Sequence, residues 1–369
     1  MRIAYLVHDY HRAVGHSRYV AELASRFAKE HEVHVFANRI ERNGASGIHF
    51  HTVPAWRANA LTAVVTFALP ATFQPDRKFD IIHSQGFCGF RGNVFTGHIC
   101  NRAWHLALEK LEGGPTYRER IFDAVATALE HTVYRSVRHG AVVAISRRVA
   151  EDLVRYYHCP APIHVIHHGV DLELFRPANR QRWRTEMRAQ YGFRDDETVF
   201  LFMGDMRKGA MRSIEALSKL ERGRLWFVSR SETGCYRAKA DEAGLGDRVV
   251  FAGPTDQPQK FYAAADAFVL PSPYDAFGMV VSEAMATGLP VIVSREAGAS
   301  ELIEHGQNGL LLEDVTSAEE FAQHMRSLAN DPAWAAELGR KARNTVEPMT
   351  WDAVAAETMR VYREVVNSN

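Results

Sequence analysis

The sequence predicts an α/β protein made of two doubly wound parallel sheets, and three observations carry that expectation. Strand-length apolar runs alternate with helical segments along most of the chain, the pattern that builds parallel sheets. The 369 residues are enough for two domains. The stretch Ile163-His-Val-Ile-His-His-Gly-Val-Asp-Leu-Glu-Leu-Phe-Arg-Pro177 suits a linker between them. In it Gly169 allows a sharp turn, Phe175 anchors it and Pro177 ends it. The domain boundary is therefore set at 169/170.

Ile3 to Val7 reads as a buried strand, followed by a polar loop, Tyr10 to His16. From Ser17 to Glu30, Tyr19, Val20, Leu23, Ala24 and Phe27 recur at helical spacing, and Glu32 to Ala37 is the next strand. The loop has one glycine, Gly15, preceded by Val14. That is too few for the G-x-G-x-x-G fingerprint of a dinucleotide-dependent oxidoreductase. The most apolar window, 55–73, carries only Arg57 as a charge. A helix packed beside the sheet explains it better than an interfacial membrane helix, which needs a basic face. Residues 79–84 and 92–98 are strands, and His98 stands at the end of the second, where catalytic groups gather in such sheets. His83 and Asn101 are weaker candidates nearby.

The region 103–138 reads as mostly helical. Around it Arg102, Lys110, Arg118, Arg120, Arg135 and Arg138 interleave with Glu109, Glu112, Glu119, Asp123 and Glu130. The mixture predicts a solvated charged face in preference to an anionic-acceptor or membrane patch. A strand at 141–146 and a helix at 147–157 complete the first half.

The second half opens with a charged helix, 180–191, and a strand, 198–204. The strand runs into Asp205-Met-Arg207-Lys208-Gly209 and a helix at 211–220. Two cations beside glycine at a strand-to-helix turn fit a diphosphate. Strands at 225–228 and 249–253 follow. The chain's organising stretch is 271–292, Pro-Ser-Pro-Tyr-Asp-Ala-Phe-Gly-Met-Val-Val-Ser-Glu-Ala-Met-Ala-Thr-Gly-Leu-Pro-Val-Ile. Pro271 and Pro273 stop the strand 267–270. Gly278 frees the backbone for close approach, and 279–286 is a short helix ended by Gly288-Leu-Pro290. Asp275 before the helix and Glu283 within it can both face the mouth of a parallel sheet, and the helix N-terminus between them suits a phosphate.

Balanced charge and a near-neutral pI argue against nucleic-acid binding. Cys88, Cys100, Cys159 and Cys235 show no metal spacing, and His49-Phe-His51 and His167-His168 lack helical metal-pair spacing; no metal is expected. Reduced thiols, no signal peptide and no spanning run suggest a cytoplasmic protein.

The 271–292 run resembles the nucleotide-sugar motif of retaining GT-B glycosyltransferases of the family 4 type. Asp275, Phe277, Gly278, Glu283, Ala284, Met285, Ala286, Gly288 and Pro290 match it, with Asp275 where most members carry Glu. Gly169-Val-Asp171, Phe175 and Pro177 match the family's crossover, with His168 for its usual Asn. At 204–209 the first basic position of the family carries Asp205, so that one clamp is either missing or supplied by Arg212. The Tyr274-Asp275 variant is similar to some lipopolysaccharide-core transferases.

The resemblance implies two Rossmann-like domains facing across a cleft, 1–169 on the acceptor side and 170–350 holding the donor, with helix 351–369 crossing back to the first. It implies retaining hexosyl transfer from a nucleotide sugar, foremost a UDP-sugar, to a glycan or lipid-linked acceptor for the cell envelope, without cofactor or metal. Arg207 and Lys208 would neutralise the diphosphate. Asp275 with the backbone of Phe277, Gly278 and Met279 would hold the sugar, Glu283 the ribose, and His98 would orient the sugar. Gly15 would lie against donor phosphate or acceptor. A peripheral membrane contact goes with a lipid-linked acceptor. A GDP-mannose-dependent transferase and a non-catalytic nucleotide-sugar binder are the alternatives.

Overall fold

The computed structural model describes residues 1–12, 15–42, 44–76, 78–110, 114–137 and 139–368. Val14, Glu112 and Arg138 lie outside the described residues. The chain divides into two compact units, Met1–Gly169 with Trp351–Asn369, and Val170–Thr350.

The first unit is built on a seven-stranded, all-parallel sheet. Its strands are β1 (Arg2–Leu6), β2 (Glu32–Ala37), β3 (Ile48–Thr52), β4 (Ile81–Gln85), β5 (Val94–Gly97), β6 (Ala141–Ala144) and β7 (Ile163–Val165). They lie in the order β3-β2-β1-β4-β5-β6-β7. The central strands are apolar on both faces because helices cover both, as a parallel sheet requires. Those helices are α1 (Gly15–Phe27), α2 (Ala60–Phe73), α3 (Asn101–Leu108), α4 (Tyr117–Ser136) and α5 (Arg147–Tyr157). β3 is absent from the sequence reading. Its Ile-His-Phe-His-Thr sequence is half polar because it is an edge strand, so it lacks the continuous apolar signal.

The packed helix expected in 55–73 is found beside the sheet, though not all of the window is covered, and the expectation for the charged region is corrected. α2 does bury Phe67 and Ala71 against Ala4, Leu6 and Phe36, but Trp56, Leu69 and Phe73 are exposed. The apolar window is longer than the face the sheet can cover. The charged region is not a wholly solvated face either. Asp123 and Glu130 are buried, because they share the inward side of α4 with Ala126, Val133 and Tyr134. Buried Glu130 accepts from the Asn101 N–H (2.8 Å), Asn101 Nδ2 (2.7 Å) and the Tyr157 hydroxyl (2.5 Å), which ties α3, α4 and α5 together. Burial pushes its carboxyl up to about 7 despite those donors.

The second unit carries a six-stranded, all-parallel sheet in the order β10-β9-β8-β11-β12-β13. Its strands are β8 (Val199–Met203), β9 (Arg224–Val228), β10 (Val249–Phe251), β11 (Ala267–Leu270), β12 (Val291–Ser294) and β13 (Leu310–Leu312). The helices are α6 (Asn179–Gln190), α7 (Ala210–Ser218), α8 (Gly234–Glu242), α9 (Pro258–Ala264), α10 (Met279–Ala286), α11 (Ala318–Asn330) and α12 (Pro332–Val346). The last helix, α13 (Trp351–Asn367), packs in the first unit against α1, and Arg26 Nε meets Asp352 Oδ1 at 2.6 Å. Among the described residues, no helix is long and apolar enough to cross a membrane.

Candidate functional site

In the second unit the strand order reverses between β8 and β11, so their carboxyl ends open a crevice. Both ends carry predicted site residues. β8 leads through Gly204 and Asp205 into a single tight turn, Met206–Lys208, and then Gly209. Gly209 sits at φ 110°, and a Cβ there would collide with the Pro271 carbonyl oxygen at the end of β11. Glycine alone lets the two strand exits pass so closely. That approach brings Lys208 Nζ to 2.6 Å from Asp275 Oδ2.

Asp275 is buried and its loop is stitched to the chain leaving β12. Its N–H donates to the Glu296 carbonyl (3.2 Å), its own carbonyl accepts from Gly298 (2.8 Å), and the Phe277 carbonyl accepts from Ala299 (2.6 Å). Asp275 Oδ1 also accepts from the Phe277 N–H at 3.3 Å. Gly278 follows at φ 90° and starts α10. Gly278, Met279 and Val280 are partly exposed, whereas Val281 to Ala286 are buried. The helix thus presents its first turn and its positive end to the crevice and sinks the rest. Glu283, one turn in, is a buried carboxylate whose Oε2 accepts from the Tyr262 hydroxyl at 3.1 Å.

Lys208, Asp275, Phe277, Gly278, Met279 and Glu283 therefore come together at one strand-end crevice. Arg207 does not join Asp275. Its guanidinium lies on Asp205, with Nε 3.2 Å from both carboxylate oxygens and Nη2 2.8 Å from Oδ2. Burial raises the Asp205 carboxyl, but the Arg207 bonds outweigh it and hold it below its ordinary range. Arg212, the expected substitute, is paired with Glu215 three residues on. A sequence neighbour with the right charge and reach took each arginine.

His98 and Gly15 belong to the first unit. Gly15 begins α1 at φ 61°. His98 follows β5, and its Nε2 lies 2.8 Å from Gln85 Oε1 at the end of β4. Around it stand the rings of Tyr19 at 5.1 Å, His168 at 5.7 Å and His16 at 5.8 Å. Burial, then the neighbouring imidazoles, push His98 well below its ordinary value, and burial lowers His168 to about 3. The imidazoles of His98 and His168 are thereby held neutral, with the Arg18 guanidinium near enough to add to the lowering of His168. His83 is a core residue, bonded to Tyr362 and Thr96 at 2.6 Å each. Asn101 is held by Glu130.

Two partners escaped sequence reasoning. Gln85 ends β4 in an unremarked Ile-Ile-His-Ser-Gln run, and Tyr262 sits in α9, twenty-one residues before Glu283. Neither position carries a local signal, because each acts through a residue far away in the chain.

Two parallel α/β units, one of them setting a lysine, two carboxylates and a helix N-terminus at its switch point, define the GT-B class of glycosyltransferase. Family models agree: "Glycosyl transferases group 1" matches residues 184–345 and "Glycosyltransferase Family 4" matches residues 14–174. The chain belongs to this glycosyltransferase family. It is 30% identical over 321 residues to a D-inositol 3-phosphate glycosyltransferase of Arthrobacter sp. (strain FB24), covering 80% of this chain and 72% of that one. In structure it resembles WaaG, a glycosyltransferase involved in lipopolysaccharide biosynthesis (TM-score 0.80, 20% identity, 98% of this chain and 99% of that one). It also resembles Anabaena Alr3699/HepE in complex with UDP and glucose (TM-score 0.73, 17% identity, 99% and 100%). At those identities the two structures speak for the fold.

Proposed function

We propose that this protein is a retaining hexosyltransferase that moves a sugar from a UDP-sugar to a hydroxyl of a glycan or lipid-linked acceptor in cell-envelope synthesis. The observation that carries the reading is the Lys208–Asp275 pair beside the open first turn of α10. A diphosphate docked on that turn draws Lys208 off Asp275. The freed carboxylate then accepts from the donor sugar's hydroxyls, so one ion pair is exchanged for two substrate contacts. As the bond from the anomeric carbon to the phosphate oxygen breaks, charge grows on the diphosphate, where Lys208 and the helix amides stabilise it. The acceptor oxygen bonds to the same face of that carbon, and its proton passes to the leaving phosphate. Glu283 binds the ribose hydroxyls, His98 orients the sugar or its acceptor, and no metal ion takes part. Arg207 contributes only if it leaves Asp205.

The UDP in one structural neighbour and the lipopolysaccharide role of another support the donor and the envelope setting. The test is a panel of UDP- and GDP-sugars, read as nucleoside diphosphate release with and without EDTA, with the product's anomeric configuration read by NMR. Release unaffected by EDTA, with retention, is expected. Nucleotide binding without release from any donor would instead favour a non-catalytic binder, and a GDP-sugar preference would change the donor.

A further inference from the structure

Glu283 is a carboxylate that has to meet two vicinal hydroxyls, which demands that its plane be held still. We infer that Tyr262 is the positioning residue that holds it, fixing the orientation in which Glu283 receives the ribose; this rests on the ribose role proposed for Glu283. Tyr262 is fully buried, so water does not substitute for its hydroxyl. The hydroxyl lies 3.1 Å from Glu283 Oε2 and 3.2 Å from the Val280 carbonyl, both on the first turns of α10. With one proton to give, it favours the ionised acceptor, since hydrogen bonds to charged groups are the stronger ones. The ring cannot swing away. It stands edge-on to Phe175 of the crossover segment (5.7 Å between centroids, 80°) and lies against Phe268 of β11 (5.9 Å).

The helix that carries Tyr262 is itself clamped. Three arginines of α6 reach the carbonyl end of α9: Arg180 to Ala265 at 2.7 Å, Arg184 to Ala264 at 3.1 Å and Arg188 to Ala264 at 3.2 Å. All three also bond to Asp266, at 2.9, 2.8 and 3.0 Å. Cations on terminal carbonyls hold a helix end in place. The crossover's Phe175, matched in the sequence to a family motif, thereby gains a job: it backs the tyrosine that sets the ribose carboxylate.

The test needs no acceptor and no turnover. Calorimetry compares UDP with 2′,3′-dideoxy-UDP, and GDP with 2′,3′-dideoxy-GDP, on wild type and on Tyr262→Phe, which keeps the ring against Phe175. Wild type should prefer the ribose form by about tenfold or more, the worth of hydrogen bonds to a charged group, and Tyr262→Phe should reduce that preference to about threefold or less. Phe175→Leu, which keeps the hydroxyl but loosens the ring, should lower the preference in the same direction and serves if Tyr262→Phe does not fold. A purely structural tyrosine would weaken both nucleotides equally and leave the ratio unchanged; that result overturns the inference while Glu283 keeps its role. If wild type itself does not distinguish the two sugars, or Glu283→Gln keeps the full ratio, the ribose reading fails and the inference with it.

Discussion

Replacing Lys208 by alanine separates what the ion pair does for the fold from what it does for transfer. Exposed ion pairs are worth about 0–1 kcal/mol. This one is not such a pair, because Asp275 retains 8% of its side-chain exposure against 30% for Lys208. Without the lysine, the buried Asp275 carboxylate keeps the backbone N–H of Phe277, at 3.3 Å, as a donor among the described residues. Leaving a buried charged acceptor short of a partner costs about 1–3 kcal/mol, so Lys208→Ala should lower unfolding free energy by that order. Adding Asp275→Asn should restore most of it, since the uncompensated charge is gone. Activity should behave differently. A lone donor aimed at charge that grows in the transition state is worth about a hundred- to a thousandfold in turnover, and the double variant should recover none of it. Urea denaturation gives the first quantity and donor-dependent nucleotide release the second. Turnover within a factor of two of wild type in a folded Lys208→Ala protein would falsify the donor-site reasoning. Stability restored together with activity in the double variant would show that the lysine serves only the fold.

His98→Ala should cut turnover by about tenfold to a hundredfold while nucleotide affinity, which the proposed donor site assigns to the other unit, should stay within about twofold; calorimetry and rate measurements check both. Glu130 predicts a pH signature. Its folded-state pKa is raised from 4.5 to about 7, so its contribution is fully present below pH 4.5 and is lost as pH rises to about 7. At about 1.4 kcal/mol per unit that is on the order of 3 kcal/mol, which urea melts at pH 5 and pH 8 should show for wild type. Glu130→Gln should flatten the difference, and an equally steep loss in that variant would remove Glu130 as its source.

What was legible in the sequence is what local sterics and short-range periodicity control. The exits of β11 and α10 are written by Pro271, Gly278 and Pro290, because proline and glycine restrict or free φ wherever they stand. The helix 147–157 and the strand 32–37 were equally plain, each carrying its own period. The crevice was legible for a related reason: Gly204 and Gly209 bracket Lys208, and a backbone that can approach Pro271 closely has to be glycine there. What the fold alone decided is pairing. That Lys208 meets Asp275, that Glu130 faces Asn101 rather than solvent, and that Tyr262 stands behind Glu283 depend on which strand exits lie side by side and on which face of a helix is covered. Those are contacts between residues tens of positions apart, created by the strand order 10-9-8-11-12-13 in one sheet and by helix packing on the other, and no stretch of sequence carries a local trace of them.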